Sequence, residues 1–303
     1  MKVLVTGATG LIGHRVVTAL HAAGRAVRVV TRDPQHVRHR KKVEVIVWNG
    51  HTLAPAALRG ANAVVHLAGE PVFRGRLTRE RRERIRTSRI DSTESIERSL
   101  AALPDDERPT CLVCASAVGY YDDNGDTELD ESAPPGKDFL AQVCVDWERA
   151  ARAAGGDGVR TTSLRLGVVF AGDGGALPQM AAVFRAGFGG RLGNGRQWFP
   201  WIHVEDAVSL VLKALDDSRW SGPVNAVSPG IVTNGELTRT LGRLLHRPTL
   251  LPVPAAALRL ALGELAGQLL GSRRVIPRAA QERGFRFAYP ELEPALREAL
   301  DVG

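Results

Sequence analysis

Gly7, Gly10 and Gly13 recur at every third position in Thr6-Gly7-Ala8-Thr9-Gly10-Leu11-Ile12-Gly13, directly after the apolar run Lys2–Thr6. Glycines at that spacing, where a buried strand turns into a helix, suit the pyrophosphate of a dinucleotide. Gly7 permits the tight turn, and Gly10 carries no side chain to hold a phosphate off the backbone. Gly13 lets the helix lie close against the strand. Gly7, Thr9, Gly10, Leu11, Ile12 and Gly13 are therefore candidate cofactor contacts. The phosphates would lie on free amides at the helix N-terminus, where the helix dipole favours negative charge.

The next strand, Arg25–Thr31, decides which dinucleotide. An acidic residue near its end would bond the ribose 2′-hydroxyl and repel a 2′-phosphate. Here the strand ends in Thr31 and Arg32, and Asp33 comes only afterwards, before Pro34. A hydroxyl beside a guanidinium fits a phosphate, because arginine offers a planar fork of donors. NADP(H) is favoured over NAD(H), although Asp33 could still turn toward the ribose.

The elements that must hold these groups alternate between strand and helix, as a doubly wound parallel sheet requires. After the opening strand, Val16, Val17, Leu20 and Ala23 give the first helix an inward stripe, and Gly24 ends it. Val43–Trp48 reads as a third strand and Pro55–Arg59 as a short helix. Ala63–Leu67 reads as a fourth strand, closing in Ala68-Gly69-Glu70-Pro71, where small residues let the backbone approach a cofactor. An arginine-rich helix spans Thr78–Ala102, a fifth strand Thr110–Ala115, and a polar loop Asp122–Lys137. A helix over Asp138–Ala154 leads to a sixth strand, Arg160–Phe170, with Arg165 inside it. Beyond Phe170 the alternation breaks. The glycine-rich segment 172–200 reads as a substrate-side loop, Trp201–Val204 as a short apolar strand and Glu205–Leu215 as a helix, with Pro223–Ala226 returning to the sheet. From Thr233 the chain is mainly helical. The reading is a Rossmann-type α/β domain over 1–230 and a smaller C-terminal lobe over 231–303, which the 172–200 loop joins in space.

With 303 residues, 44% of them hydrophobic and 24% charged, the chain can bury a large core. No apolar run is long enough to span a bilayer, and the first residues enter the nucleotide fold directly. A secretory leader is thus not expected, no membrane partner is expected, and a cytoplasmic location is the default. Cys111 and Cys114 have C-x-x-C spacing, but on a strand they point to opposite faces, so with Cys144 they read as buried thiols and no metal is expected. The net charge of +7 concentrates in His36–Lys42 and Arg74–Arg89. Aromatic residues are only 5% of the chain and no recognition helix is apparent, so the charge implies attraction for anionic ligands without specific nucleic-acid binding.

Leu67-Ala68-Gly69-Glu70-Pro71, Ser116-Ala117-Val118-Gly119-Tyr120-Tyr121 and Gly195-Arg196-Gln197-Trp198-Phe199-Pro200-Trp201-Ile202-His203 together resemble an extended short-chain dehydrogenase/reductase. The chain is most similar to the atypical epimerase-family branch, the 39U group, and Leu251–Pro254 through Gly284–Phe287 resembles that branch's own C-terminal domain. The resemblance implies NADP(H) contacts at Thr31, Arg32, Leu67, Ala68 and Arg89, with Gly69 beside them, and further ones at Arg84 and Arg165. It also implies a catalytic Ser followed by Tyr-x-x-x-Lys-x-x-x-Glu. Ser116 matches the Ser and Glu148 the Glu, but Cys144 stands where Lys belongs and Leu140 where Tyr belongs.

With that dyad gone, Tyr120 and Tyr121 are the candidate proton donors beside Ser116, since a phenol can transfer a proton. Without a lysine nearby, a phenol pKa near 10 is a handicap. Glu70 and Cys144 are weaker candidates, and His203 reads as orienting a loop. The sequence supports a small-molecule oxidoreductase or epimerase acting on a polar or sugar-like substrate. The alternative is a catalytically silent NADP(H) sensor. An exposed helix pair could support a homodimer.

Overall fold

Lys2–Thr6 forms β1, and its Val3, Leu4 and Val5 are completely buried, as expected of a parallel strand covered on both faces. In the computed structural model, which describes residues 1–37 and 40–302, β1 is the fifth strand in a sheet of seven. Arg38 and His39 of the basic run, and Gly303, lie outside the described residues. α1 (Gly13–Ala22) buries Val16, Val17 and Leu20 and ends at Gly24, whose φ of 69° is the left-handed conformation glycine tolerates. Ala23 departs from the expected stripe and is exposed, because it already lies in the cap beyond the last helical turn. β2 (Ala26–Thr31), β3 (Glu44–Val47) and β4 (Ala63–His66) follow, all parallel to β1.

The arginine-rich segment is two helices, α2 (Arg79–Thr87) and α3 (Ile90–Ala101). The chain turns at Ser88-Arg89, where the Ser92 and Thr93 hydroxyls donate back to the carbonyls of Ser88 and Arg89. Such back-bonding competes with the helical ladder and bends it. Then come β5 (Cys111–Ala117), the short β6 (Glu128–Leu129) and α4 (Phe139–Ala153). The α4 N-terminus is capped by the Asp138 carboxylate, which accepts from the Ala141 amide. Cys111 and Cys114 face the two opposite apolar layers that sandwich the sheet.

The expected sixth strand is also broken in two, β7 (Arg160–Leu166) and β8 (Val168–Phe170). A side chain at Gly167 would meet the Pro200 carbonyl oxygen at 2.9 Å, so the backbone of segment 200 can approach there and draw β8 out of the sheet. α5 (Leu177–Arg185) and β9 (Trp198–Phe199) lead to β10 (Trp201–His203), which pairs with β8. α6 (Val204–Asp216) then returns the chain to β11 (Gly222–Ala226), giving the sheet order β11-β7-β5-β4-β1-β2-β3. This is the Rossmann-like doubly wound arrangement, with ligand positions at the carboxyl ends of the strands.

The remaining chain is mostly helical. β12 (Val232–Thr233) precedes α7 (Asn234–Leu244), whose start is a reciprocal capping box between Thr233 and Glu236. α8 (Ala255–Leu262), α9 (Ala266–Leu270), β13 (Arg274–Val275), α10 (Arg278–Glu282) and α11 (Leu292–Leu300) complete it. Phe170, Leu177, Phe184 and Trp201 share one buried cluster with Leu237, Leu241 and Leu296. β13 pairs with β6, so the C-terminal segment is stitched to the loop that follows β5. Among the described residues no helix is long and apolar enough to cross a membrane.

Candidate functional site

The glycine turn has the geometry its spacing demands. Gly7 has φ of 68°, and a side chain there would lie 2.6 Å from the Leu67 carbonyl. A side chain on Gly13 would collide with the Gly7 carbonyl oxygen, so β1 and α1 can touch only through glycine. A Cβ on Gly10 would find open space beyond the Gly7 carbonyl oxygen, and Thr9 and Gly10 are exposed. The amides of Leu11 and Ile12 reach no acceptor among the described residues. An open cradle lined by donors at a helix N-terminus fits a dinucleotide pyrophosphate. The Leu11 side chain rests near Gly174 and Gly175, and Arg15 pairs with Asp173, so the loop after β8 lies beside the cradle.

Beneath the turn runs a buried chain of hydrogen bonds. The Thr6 hydroxyl accepts from the Ala68 amide at 3.3 Å and lies 2.6 Å from His66 Nδ1. His66 Nε2 lies 3.1 Å from the Ser92 hydroxyl, which donates onward to helix carbonyls. This pattern suits a neutral imidazole that accepts at Nδ1 and donates at Nε2. Burial, followed by the charge on Arg89, pushes the His66 pKa down to about 3. The chain fixes Leu67 and Ala68 where they pass the glycine turn.

At the end of β2, Asp33 is engaged within its own turn. Its carboxylate bonds His36 Nδ1 at 2.6 Å and accepts from the Gln35 amide. The Thr31 hydroxyl accepts from the Asp33 amide, and Arg32 is exposed with no ion pair among the described residues. Arg89 lies under the β4 exit, its guanidinium 3.3 Å from where a Gly69 side chain would stand and over the Trp147 ring at 5.1 Å. Arg84 lies exposed on α2, away from this group of buried contacts.

The residues expected to do chemistry are tied into a polar network that includes Arg165. Arg165 grips Glu148 with two bonds, Nε to Oε1 at 2.8 Å and Nη2 to Oε2 at 2.9 Å. Ser116 donates to Glu148 Oε1 at 2.7 Å. Arg165 Nη1 donates to the Tyr121 hydroxyl, which in turn donates to Asn225 Oδ1 at 2.6 Å. Arg165, Glu148, Ser116 and Tyr121 are at most 2% exposed. Arg165 is therefore committed to bonds with Glu148 and Tyr121 in the interior. Tyr121 is equally committed; burial pushes its pKa up to about 12, against proton transfer near neutrality.

Tyr120 differs from its neighbour. It is half-buried, its ring lies 3.5 Å under the Arg165 guanidinium carbon, and its hydroxyl bonds no described group. Leu140, in the expected tyrosine position, faces Gly119, whose Cβ would stand 4.0 Å away. Cys144, in the lysine position, is buried, and burial together with the Glu148 charge pushes its thiol up to about 12. It remains protonated and replaces neither the base nor the cation. His203 is buried, its Nε2 2.7 Å from Glu298, and it accepts from the Glu205 amide. It ties the start of α6 to α11.

The structure thus sets the glycine turn against Leu67 and Ala68 and Arg89 beside Gly69, packs Leu140 near Gly119, leaves Tyr120 half-buried next in the chain, and withdraws Tyr121, Ser116 and Arg165 into the core. Sequence reasoning missed the partnership of Arg165, Glu148 and Asn225. Its available signal was a pair of opposite charges inside elements that otherwise read as buried.

Comparison with known proteins matches residues 3–226 to the NAD dependent epimerase/dehydratase family and residues 253–299 to a domain of unknown function, DUF1731. The chain is 42% identical to the chloroplastic SDR39U1 homologue of Arabidopsis thaliana, over 99% of this chain and 87% of that relative. It is 40% identical to the epimerase family protein Mb2239 of Mycobacterium bovis, over 97% and 96% respectively. The crystal structure of human epimerase family protein SDR39U1 (isoform 2) with NADPH superposes with a TM-score of 0.90 at 34% identity, covering 99% of both chains.

Two outcomes test this network. Glu148→Gln and Arg165→Met should each destabilise the fold by about 3–5 kcal/mol, since each strands a buried charge. A Glu148→Leu/Arg165→Met double variant should lose less than the two single losses combined, measured by denaturant unfolding. For His66, the folded-state pKa near 3 lies below the unfolded value near 6.5, so the unfolded chain binds the extra proton. Stability should therefore fall as pH drops below about 6.5, approaching a slope of about 1.4 kcal/mol per pH unit from this group. His66→Gln should flatten that slope; an unchanged slope would show that the imidazole is not held neutral.

Proposed function

Since the chain belongs to the NAD dependent epimerase/dehydratase family, and within it to the SDR39U1 group of epimerase family proteins, we propose that it binds NADP(H) and moves a hydride to or from a small organic substrate. The carrying observation is the end of β2. Asp33, the carboxylate that could reject a 2′-phosphate, is held by His36 and Gln35, while Arg32 stays open beside the Thr31 hydroxyl. The NADPH in the human relative and the open glycine cradle here support the same reading.

When bound, NADP(H) supplies or takes a hydride at a carbon that bears a carbonyl or hydroxyl. The oxygen on that carbon exchanges a proton in the same event, and Tyr120 is the group we assign to it. Tyr121 cannot share the task without breaking its bonds to Arg165 and Asn225. The Cys144 thiol stays protonated, and Ser116 is turned to Glu148. Oxidoreduction and redox-assisted epimerisation both use this arrangement. The second reading, a cofactor-binding protein without turnover, draws on the same commitments of Ser116 and Tyr121.

Arg32→Ala should weaken NADPH binding about tenfold or more while leaving NADH nearly unchanged, as the loss of a charge-assisted phosphate contact would. Calorimetry with both nucleotides checks this, and equal losses would refute the 2′-phosphate assignment. Tyr120→Phe should keep NADPH affinity but lower turnover on a carbonyl panel by about a hundredfold or more. Followed by NADPH absorbance, undiminished turnover in that variant would assign the proton elsewhere. Tight NADPH binding without turnover on any compound would favour the silent reading.

A further inference from the structure

Two stretches of the chain carry no carboxylate. Neither Asp nor Glu occurs over 174–204 or over 237–263, yet the two together hold seven arginines. In the fold parts of these stretches run side by side. The Val253 amide donates to the Arg191 carbonyl, and the Gly193 amide to the Val253 carbonyl. Arg247 Nε donates to the Arg185 carbonyl at 3.0 Å. A side chain on Gly190 would collide with the Leu251 carbonyl oxygen, so the two backbones meet there as well.

The same region gathers apolar side chains at the surface. Leu250 and Leu251 are 88% and 81% exposed, Phe188 is 78% exposed, and Val183 on α5 is 50% exposed. Half of the large apolar side chains exposed among the described residues are therefore here. Pro248 and Pro252 bracket the leucine pair with fixed φ, which leaves the loop little freedom to fold the leucines back. Arg185, Arg191 and Arg247 are exposed on the same two segments, and none meets a carboxylate among the described residues. Of the carboxylates bordering the stretches, Asp173 pairs with Arg15, Glu236 closes the α7 capping box and Glu264 pairs with Arg82.

Clustered apolar side chains on a surface mark a contact, and here the charge decides its kind. A second copy of this chain, docked face to face, would bring arginine against arginine, and like charges oppose that contact. An acidic protein would answer the arginines but would need a fitted pocket for each projecting side chain. An anionic bilayer answers both features without pockets. Leucine and phenylalanine enter the acyl boundary, while guanidinium forks stay with the lipid phosphates. Independently of the cofactor reading, we propose that the face formed by Val183–Arg191 and Arg247–Leu251 docks on an anionic membrane surface. Such a contact needs no spanning segment, and it replaces the expectation of no membrane partner, which rested on spanning segments alone.

The test is flotation of the full chain with vesicles of phosphatidylcholine alone or of phosphatidylcholine mixed with phosphatidylserine. The chain should float with the mixture and stay behind with neutral lipid, and added salt should release it. Leu250→Ser/Leu251→Ser should weaken binding about tenfold or more, the scale of losing inserted aliphatic surface. Arg185→Gln/Arg191→Gln should weaken it about twentyfold, roughly fivefold for each charge. Arg79→Gln/Arg86→Gln removes the same charge from α2 and should leave binding nearly unchanged. All six substituted positions are exposed, so each variant keeps the fold. An equal loss in the α2 variant would reduce the effect to net charge and overturn the proposal. So would no binding to the mixture, equal binding to neutral vesicles, or indifference to the leucine change. Poly-glutamate binding that needs the leucine pair would assign the face to an acidic protein, and a dimer that the same change disperses would assign it to a second copy; either result overturns the membrane assignment.

Discussion

The ion pair between Arg165 and Glu148 constrains everything at the carboxyl ends of β5, β7 and β11. Two charges removed from water need close geometry and every remaining hydrogen bond satisfied, or their desolvation outweighs their attraction. The chain meets that demand from four directions. Ser116 on β5 supplies a donor to the carboxylate, and the Tyr121 hydroxyl accepts from the guanidinium. Asn225 on β11 accepts from Tyr121 and gives its own amide to the Leu129 and Ile276 carbonyls. The Glu131 carboxylate then takes the Asn225 and Ala279 backbone amides. One buried pair thereby sets the positions of the loop after β5, the last sheet strand and the start of α10.

That network also accounts for which side chains α4 and the loop after β5 present. In the pattern the chain resembles, α4 would present tyrosine and lysine toward the cofactor, about two turns and one turn before Glu148 respectively. Here α4 keeps Glu148 for a structural purpose and presents Leu140 and a protonated Cys144 instead. Tyr121 is drawn inward by the same charge, leaving Tyr120 as the phenol whose hydroxyl is uncommitted among the described residues. The two adjacent tyrosines divide at the helical turn Val118–Tyr120 that follows β5: Tyr121, just past the turn, reaches Asn225, while the Tyr120 ring lies against the Arg165 guanidinium.

The glycine turn was the legible part of the candidate site. Its geometry is carried by backbone, so glycine spacing encodes it locally, and Gly7, Gly13 and Leu67 meet as that spacing requires. The strands of the sheet were legible for the same reason, since continuous apolar runs are a local signal. What was not legible depended on distant partners. The break at Gly167 exists because Pro200 approaches it, and the turn at Ser88-Arg89 because two hydroxyls compete with the ladder; neither follows from periodicity. The pairing of Arg165 with Glu148 was not legible because Glu148 lies on the helix before it and reaches it only in the folded chain.

His66 shows how the legible and illegible halves are joined. Its position at the end of β4 is dictated by an apolar strand, yet its imidazole links β1 to α3 through Thr6 and Ser92. Because both ring nitrogens meet hydroxyls rather than carboxylates, nothing nearby compensates a positive charge, and Arg89 opposes one. The neutral ring can therefore hold Thr6, and through it the Ala68 amide, in one arrangement. Protonation would turn the accepting Nδ1 into a donor facing Thr6, and the Thr6 hydroxyl proton would lose its acceptor in a buried setting. The seating of Ala68 beside the glycine turn and the link from β1 to α3 thus share one uncharged side chain.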